Sequence, residues 1–480
     1  MSLSPDQLER LVDKVVERMR DAGAPSSSAP SSSTRSSASA PFVRGNSPGT
    51  FDDLDSAVAA ATKAFAIWNE LSLEVRDRCV AAIRTACLER VEEIANKAVA
   101  ETGLGRVADK IAKNRTAILK TPGREILRTI AFTGDDGMTL HERAPFGIIG
   151  SITPSTNPSE TVINNAISMI AAGNGVVFNV HPGAKNISRL VIGIINDAIT
   201  SNGGPPNLVC TIAEPTIESA QALMKHPGIR VVVVTGGGAV VKQAMSSGKR
   251  AVCAGPGNPP VVVDETADLE QAGRDVVLGA SMDNNIICIV EKELLVVRSV
   301  ADALKAQMLR KGAFEVDGAA LARLEKTVVV DGHVNRDFIG KDAKVIAAAA
   351  GIRVDGDPRL LLAEVEFDHP FVQLEMLMPV LPMVRVPDVQ TAIKLAVKAE
   401  HGHFHTAVMH SRNIDNMHDM ARAVNTSLFV KNAPSYAGLG VGGEGHTAWT
   451  IAGSSGDGLT TALTYTRERR CTLKDKFRIV

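Results

Sequence analysis

The sequence predicts an α/β protein of two lobes, each a parallel sheet wrapped by helices. Three observations carry that expectation. Between residues 148 and 234, short β-branched runs alternate with helix-length amphipathic stretches, the pattern of successive strand–helix–strand units. The alternation stops at Gly255-Pro256-Gly257 and starts again, so a second unit of the same kind follows to about residue 430. A chain of 480 residues, 45% hydrophobic and 22% charged, has ample core for more than one domain.

Composition also excludes several functions. With 52 Lys and Arg against 53 Asp and Glu, the net charge is -1, and no global basic field favours nucleic acid or an anionic membrane. Two Trp, two Tyr and thirteen Phe leave little for base stacking. The six cysteines (79, 87, 210, 253, 288, 471) form no CxxC pair, which suits a reducing compartment and argues against structural zinc. No apolar run approaches the roughly 18 residues that cross a bilayer. The first twenty residues are too charged for a secretory signal. A soluble intracellular protein is expected.

Taken in order, residues 1–23 read as a separate amphipathic helix. Leu8, Leu11, Val12, Val15, Val16 and Met19 recur at helical spacing, Ser4 and Pro5 fit its start, and Gly23 its stop. Residues 24–45 are a Ser/Ala/Pro linker that tethers it. The globular part then opens with helices over 52–66, 74–99 and 106–121; Cys79 and Cys87, eight apart, share a buried face of the second. Residues 138–143 alternate as a strand. The spacing predicts strands at 148–152, 175–179, 208–212 and 230–234, and helices at 161–172, 187–201 and 217–225. After Gly255 come strands at 260–264 and 292–297, with helices at 269–280 and 301–311. Ligands prefer the cleft between two such lobes.

The chemistry centres on Asp283-Asn284-Asn285-Ile286-Ile287-Cys288-Ile289-Val290. The first three residues read as a turn, and 286–290 as a short buried strand or helix start. A cysteine so placed is either a small core hydrophobe or a nucleophile at the floor of a pocket. Asn157 ends the loop after the 148–152 strand; it is a turn residue or a donor to a developing oxyanion. Val231 to Val241, with Thr235-Gly236-Gly237 at its centre, reads as strand, glycine turn and helix start. That is a plain βα turn or a pyrophosphate cradle. Gly438 to Gly445 follows no clear strand and opens no obvious helix, so it is set aside as a phosphate cradle. His401, His403 and His405 lack acidic or cysteine partners at metal-ligand spacing, and no metal site is expected.

The order of these motifs carries a resemblance. Asn157, Thr235-Gly236-Gly237, Ala254 to Pro260, Cys288 and Glu375-Met376-Leu377-Met378-Pro379 succeed one another as in the aldehyde dehydrogenase superfamily. Asn284-Asn285 before the cysteine and Ala433 to Gly440 after it are similar to the CoA-acylating propionaldehyde dehydrogenases of bacterial microcompartments. The resemblance covers residues 46–480.

It implies two Rossmann-type lobes, a β oligomerisation arm and the tethered helix. Residues 46–254 would form the cofactor-binding domain, with 130–148 contributing to the arm; 255–458 would form the catalytic domain and 459–480 an oligomerisation tail. Cys288 would attack a short-chain aldehyde, most readily propanal. Asn157 and the Cys288 backbone N–H would hold the oxyanion. Glu375, Thr235, Gly236, Gly237, Pro154, His181 and Pro182 would bind NAD, and coenzyme A would accept the acyl group. The family further implies a homo-oligomer, dimer or tetramer, and a shell protein bound through residues 1–23 within a microcompartment.

Two departures stand out. The glutamate base of hydrolytic relatives would fall at about Ala254-Gly255, where no carboxylate exists, which favours acyl transfer over hydrolysis. Phe178 to Pro182 lacks the lysine that usually grips the adenosine ribose, which loosens the choice of NAD over NADP. Acetaldehyde as substrate, hydrolysis to a free acid, and an inactive scaffold are the alternative readings.

Overall fold

The computed structural model describes residues 47–479, so the expected helix at 1–23 and linker at 24–45 lie outside the described residues. Six parallel strands make the first sheet, in the order Thr50–Phe51, Val209–Ile212, Gly175–Asn179, Ile148–Ile152, Ile229–Thr235, Arg250–Ala254. Its central strands are near-continuous β-branched runs because both faces are covered; Val231 to Val234 are fully buried. From Ile148–Ile152 the chain builds outward in one direction, then crosses back to Ile229–Thr235. The strand order therefore reverses between these two strands, the place where open α/β sheets hold ligands at their carboxyl ends.

Seven parallel strands make the second sheet, in the order Ala313–Glu315, Leu360–Glu364, Val380–Val386, Glu293–Val297, Pro260–Val263, Thr406–His410, Leu428–Lys431. The two parallel sheets bear out the α/β fold class. A third, antiparallel sheet joins Ile130–Gly134, Gly137–Pro145 and Thr466–Lys474. It stands largely exposed, with Ile130, Phe132 and Leu473 among its uncovered apolar side chains.

Three expectations are corrected. The helix expected at 74–99 is two, Leu73–Glu89 and Val91–Thr102, broken at Arg90 (φ -109°, ψ 14°). Each buries its own stripe, Cys79, Ile83 and Cys87 on the first and Val91, Ile94 and Ala98 on the second. The helix expected at 161–172 starts at Pro158, whose ring fits a first helical position, and every one of its residues through Ala171 is buried. Residues 286–290 are neither strand nor helix but a tight turn. In addition, Leu439, Trp449, Ile451 and Tyr465 pack in one core with Ile149, Ile163 and Phe178 of the first lobe. The chain thus returns there before residue 458, where the sequence division ends the catalytic domain.

Candidate active site

Four loops meet where they enter adjacent strands of the second sheet. Glu375 precedes Val380–Val386, Cys288 precedes Glu293–Val297, Gly257 precedes Pro260–Val263, and His405 precedes Thr406–His410. Gly257 is their meeting point. A Cβ added to it would lie 2.8 Å from the Cys288 carbonyl oxygen and 3.0 Å from Cγ of the His405 ring. Its N–H donates to Glu375 Oε1 at 3.3 Å. Glycine is needed there because the backbone itself is the contact surface.

Cys288 is half-buried, whereas Cys79, Cys87, Cys210 and Cys253 are buried and Cys471 lies exposed on the arm. Burial pushes the Cys288 thiol up to about 12, and the neighbouring Glu375 charge adds to this. Lys292 and Lys113 pull the other way without prevailing. At neutral pH Cys288 therefore rests as a thiol, and it would need a base to act as a nucleophile. The His405 ring lies across Gly257 from the Cys288 carbonyl. Burial, reinforced by His403 and Lys292, pulls its imidazole down to about 3 and keeps it neutral. Its Nδ1 lies 2.9 Å from Thr406 Oγ1, and its Nε2 has no hydrogen-bond partner among the described residues.

The Cys288 loop is fixed by a buried lysine. Lys292 Nζ donates to Asn285 Oδ1 (2.6 Å), the Asn285 carbonyl (2.8 Å) and the Ile287 carbonyl (3.3 Å). The Ile287 C=O and the Cys288 N–H belong to one planar peptide, so holding the oxygen aims the N–H. Burial brings Lys292 down to about 8 despite the acidic groups around it.

Asn157 is buried at the N-cap of Pro158–Ala171, but its side chain does not cap the helix. Its Nδ2 donates to Thr156 Oγ1 at 3.1 Å, which leaves a second N–H for a ligand oxygen; its Oδ1 has no partner among the described residues.

The cofactor candidates of the first lobe gather at the carboxyl ends of its three central strands. Pro154 follows Ile148–Ile152, His181 and Pro182 follow Gly175–Asn179, and Thr235-Gly236-Gly237 closes Ile229–Thr235. They flank the reversal point. Gly237 is the N-cap of helix Gly238–Met245, and a Cβ on Gly237 or Gly238 would meet nothing within 4 Å, so a ligand can approach the bare backbone. The Gly236 N–H is tied to the Ala254 carbonyl (3.0 Å), and Thr235 Oγ1 lies 2.8 Å from Thr450 Oγ1. His181 Nδ1 accepts from the Gly183 N–H at 3.1 Å. These residues fit a dinucleotide. Glu375 comes from the other lobe, in the loop before Val380–Val386 and near Cys288.

Ala254 is buried, and a Cβ on Gly255 would meet Ser454 Oγ at 2.6 Å. Gly438 and Leu439 end the short 3-10 helix Ser435–Leu439, and Gly440 to Gly445 form a turn held by Lys120 Nζ on the Gly443 carbonyl (2.6 Å), not a helix start. Among the described residues no three His, Cys, Asp or Glu side chains are grouped to hold a metal ion, and no helix is long and apolar enough to cross a membrane.

The sequence reading passes over His405, weighed there only as a metal ligand, and the buried Lys110, Lys113 and Lys292. One signal for the first two lysines was available. With Asn114 and Ala117 they occupy i, i+3, i+4 and i+7 of Val107–Lys120, the spacing of a buried face.

With the thiol raised to about 12, alkylation of Cys288 by iodoacetamide in the free enzyme should quicken roughly tenfold per pH unit from pH 7 to 10. Mass spectrometry of the modified peptide reads the rate. A plateau below pH 8 would show a thiolate already formed.

The geometry belongs with known proteins. The sequence model of the aldehyde dehydrogenase family matches residues 44–464. An acetaldehyde dehydrogenase (acetylating) EutE of Salmonella typhimurium is 49% identical over the whole of both chains. The crystal structure of Rhodopseudomonas palustris propionaldehyde dehydrogenase with bound propionyl-CoA matches with a TM-score of 0.88 and 47% identity, over 89% of this chain and 95% of that one. A propionaldehyde dehydrogenase from the Clostridium phytofermentans fucose utilisation bacterial microcompartment matches with a TM-score of 0.89 and 43% identity, over 90% of this chain and 100% of that one. The chain belongs to the aldehyde dehydrogenase family and stands among its CoA-acylating members.

Proposed function

We propose that the protein oxidises a short-chain aldehyde, propanal first, to its acyl-CoA with NAD as hydride acceptor. The observation that carries the reading is the meeting of Cys288, neutral His405 and Glu375 around Gly257, with no carboxylate at Ala254-Gly255 to activate water.

Cys288 Sγ attacks the carbonyl carbon while its proton passes to His405 Nε2. The carbonyl π electrons move to oxygen, and the Asn157 amide and the Cys288 N–H stabilise the charge. Collapse of that oxyanion expels the aldehyde hydrogen with its electron pair and leaves an acyl thioester on Cys288. The nicotinamide supplies the acceptor for that hydride; Thr235, Gly236, Gly237, Pro154, His181 and Pro182 would hold the dinucleotide, and Glu375 its nicotinamide ribose. His405, deprotonated again, takes the proton of the coenzyme A thiol. The CoA sulfur then forms the new thioester bond and Cys288 leaves, recovering a proton.

Acetaldehyde is a second reading, favoured by the full-length identity to EutE. One methylene in an apolar pocket is worth only about 1–3 kcal/mol, so the two substrates differ by degree. We further assign residues 1–23, on their apolar stripe, as an address that binds a microcompartment shell protein, and the exposed arm as the surface that pairs with further copies in a dimer or tetramer.

Three outcomes test this. NADH formation from propanal should need CoA for sustained turnover and vanish in Cys288→Ala; equal turnover without CoA, yielding free acid, would establish hydrolysis instead. Asn157→Ala should lower single-turnover acylation by roughly 10²–10³, and an unchanged rate would remove its role. Residues 1–41 fused to a fluorescent protein should co-localise with a co-expressed shell. Diffuse signal, with full activity of the truncated enzyme, would refute the address.

A further inference from the structure

Two lysines lie fully buried on one face of helix Val107–Lys120, in a place where apolar side chains would fill the core. Lys110 Nζ donates to the Thr156 carbonyl (2.8 Å) and to Asp283 Oδ2 (2.9 Å). Lys113 Nζ donates to the same Asp283 Oδ2 (2.5 Å) and forms an ion pair with Glu160 Oε1 (3.2 Å). Thr156 precedes Asn157, and Glu160 stands in the first turn of the helix that Asn157 opens. The two lysines thus grip the Asn157 loop on both sides and tie each grip to Asp283, the first residue of the left-handed turn that leads to Cys288.

A merely structural account leaves this arrangement unexplained. Buried ion pairs seldom stabilise a fold more than the hydrophobic groups that could replace them. Burial works against the Lys110, Lys113 and Asp283 charges, and it leaves Lys110 below the usual ammonium range. Even so, Lys110 and Lys113 hold the Asp283 carboxyl below the usual carboxylate range, and Asp283 and Glu160 hold the Lys113 ammonium above its own. What the cluster provides, and an apolar plug would not, is directional bonds from one helix to two separate loops.

We propose that Lys110, seconded by Lys113, is a positioning residue: its bonds to Thr156 and Asp283 set the Asn157 amide and the Cys288 N–H in register around one substrate oxygen. The inference rests on the acyl-transfer reading above. The oxyanion forms only if both donors aim at one point, and an ångström of misregister is enough to weaken it severely.

The test is a single-turnover burst of NADH in Lys110→Met with saturating NAD and propanal and no CoA, measured beside the rate of Cys288 alkylation by iodoacetamide. Because Lys110→Met unbalances buried charge, the double variant K110M/D283N, which removes one charge of each sign, is measured in parallel. The burst should slow ten- to a hundredfold in both, with alkylation within threefold of wild type. Lys110→Arg, which keeps a cation with two directional N–H groups, should recover part of the loss. A burst within threefold of wild type overturns the proposal. So does a parallel fall of burst and alkylation, which would mean that the cysteine loop had simply loosened, and so does failure of every variant to fold, which would assign the lysine to stability. If wild-type protein itself gives no burst with propanal or acetaldehyde, the functional reading fails first; a normal wild-type burst with unaffected variants removes this inference alone.

Discussion

Three consecutive residues in the left-handed region, none of them glycine, lead toward Cys288: Asp283 (φ 49°), Asn284 (φ 53°) and Asn285 (φ 66°). The rest of the site depends on their staying there. Such a run costs about 3 kcal/mol or more for ordinary side chains, somewhat less for Asn and Asp. Buried bonds offset it. Asn284 Nδ2 donates to the Gly340 carbonyl (2.9 Å), and Asn285 Nδ2 to the Ala280 (2.7 Å) and Glu291 (2.9 Å) carbonyls. Asp283 takes the Arg106 N–H (2.8 Å) and both lysines. At roughly 1 kcal/mol net for each neutral bond and more for the charged ones, these bonds outweigh the strain. The turn therefore persists without substrate, and Cys288 arrives pre-aimed.

The same device recurs in the other loops of the site. Leu377 (φ 51°) follows Glu375, and its carbonyl accepts from the Gly340 N–H at 2.9 Å. His401 (φ 56°) and Phe404 (φ 52°) lie in the loop that delivers His405, whose N–H donates to the buried Glu400 Oε1 at 2.8 Å. Gly340 accepts from Asn284 and from the Gly105 N–H, and so joins the cysteine loop, the Glu375 loop and the loop that opens helix Val107–Lys120. Strain kept in this way is usual where geometry must be held rather than merely reached.

This also explains what the sequence could and could not reveal. The central strands of the first sheet and Pro260–Val263 and Glu293–Val297 of the second were legible because two-sided burial demands β-branched runs; the remaining strands, among them Thr50–Phe51 and Arg250–Ala254 at the edges of the first sheet, were not singled out. Gly175–Asn179 and the helix Ile217–Lys225 fall where periodicity places them. Cys288, Asn157 and the Thr235-Gly236-Gly237 turn were visible as residue types whose chemistry is rare. His405 was not, because its role comes from burial beside Gly257, and nothing in His401 to His405 says which ring turns inward. Positive φ at Leu377 and Phe404 leaves no local mark, since these residue types seldom adopt it. The break at Arg90 and the return of residues 439–465 to the first lobe are likewise set by packing over long range. The buried lysines interrupt an apolar stripe, and a lysine on a helix is ordinarily read as solvent-facing.

The chemistry follows from a site that holds its reactive groups neutral. Burial raises Cys288 and lowers His405, so the thiol and the imidazole start uncharged; burial also raises the Glu375 carboxyl, against Lys292 and the Gly257 N–H. A neutral thiol beside a neutral imidazole gives little reactivity until a carbonyl is close enough to receive the sulfur, which ties activation to substrate arrival. The same neutrality favours the second half-reaction. Water is a weak nucleophile without a base, and about Ala254-Gly255, where the resemblance places the glutamate of hydrolytic relatives, the chain carries no carboxylate and packs close to Ser454. A thiol loses its proton more readily than water, and sulfur is the better nucleophile toward a thioester. On the acyl-transfer reading proposed above, the missing carboxylate turns the acyl enzyme away from water and toward coenzyme A.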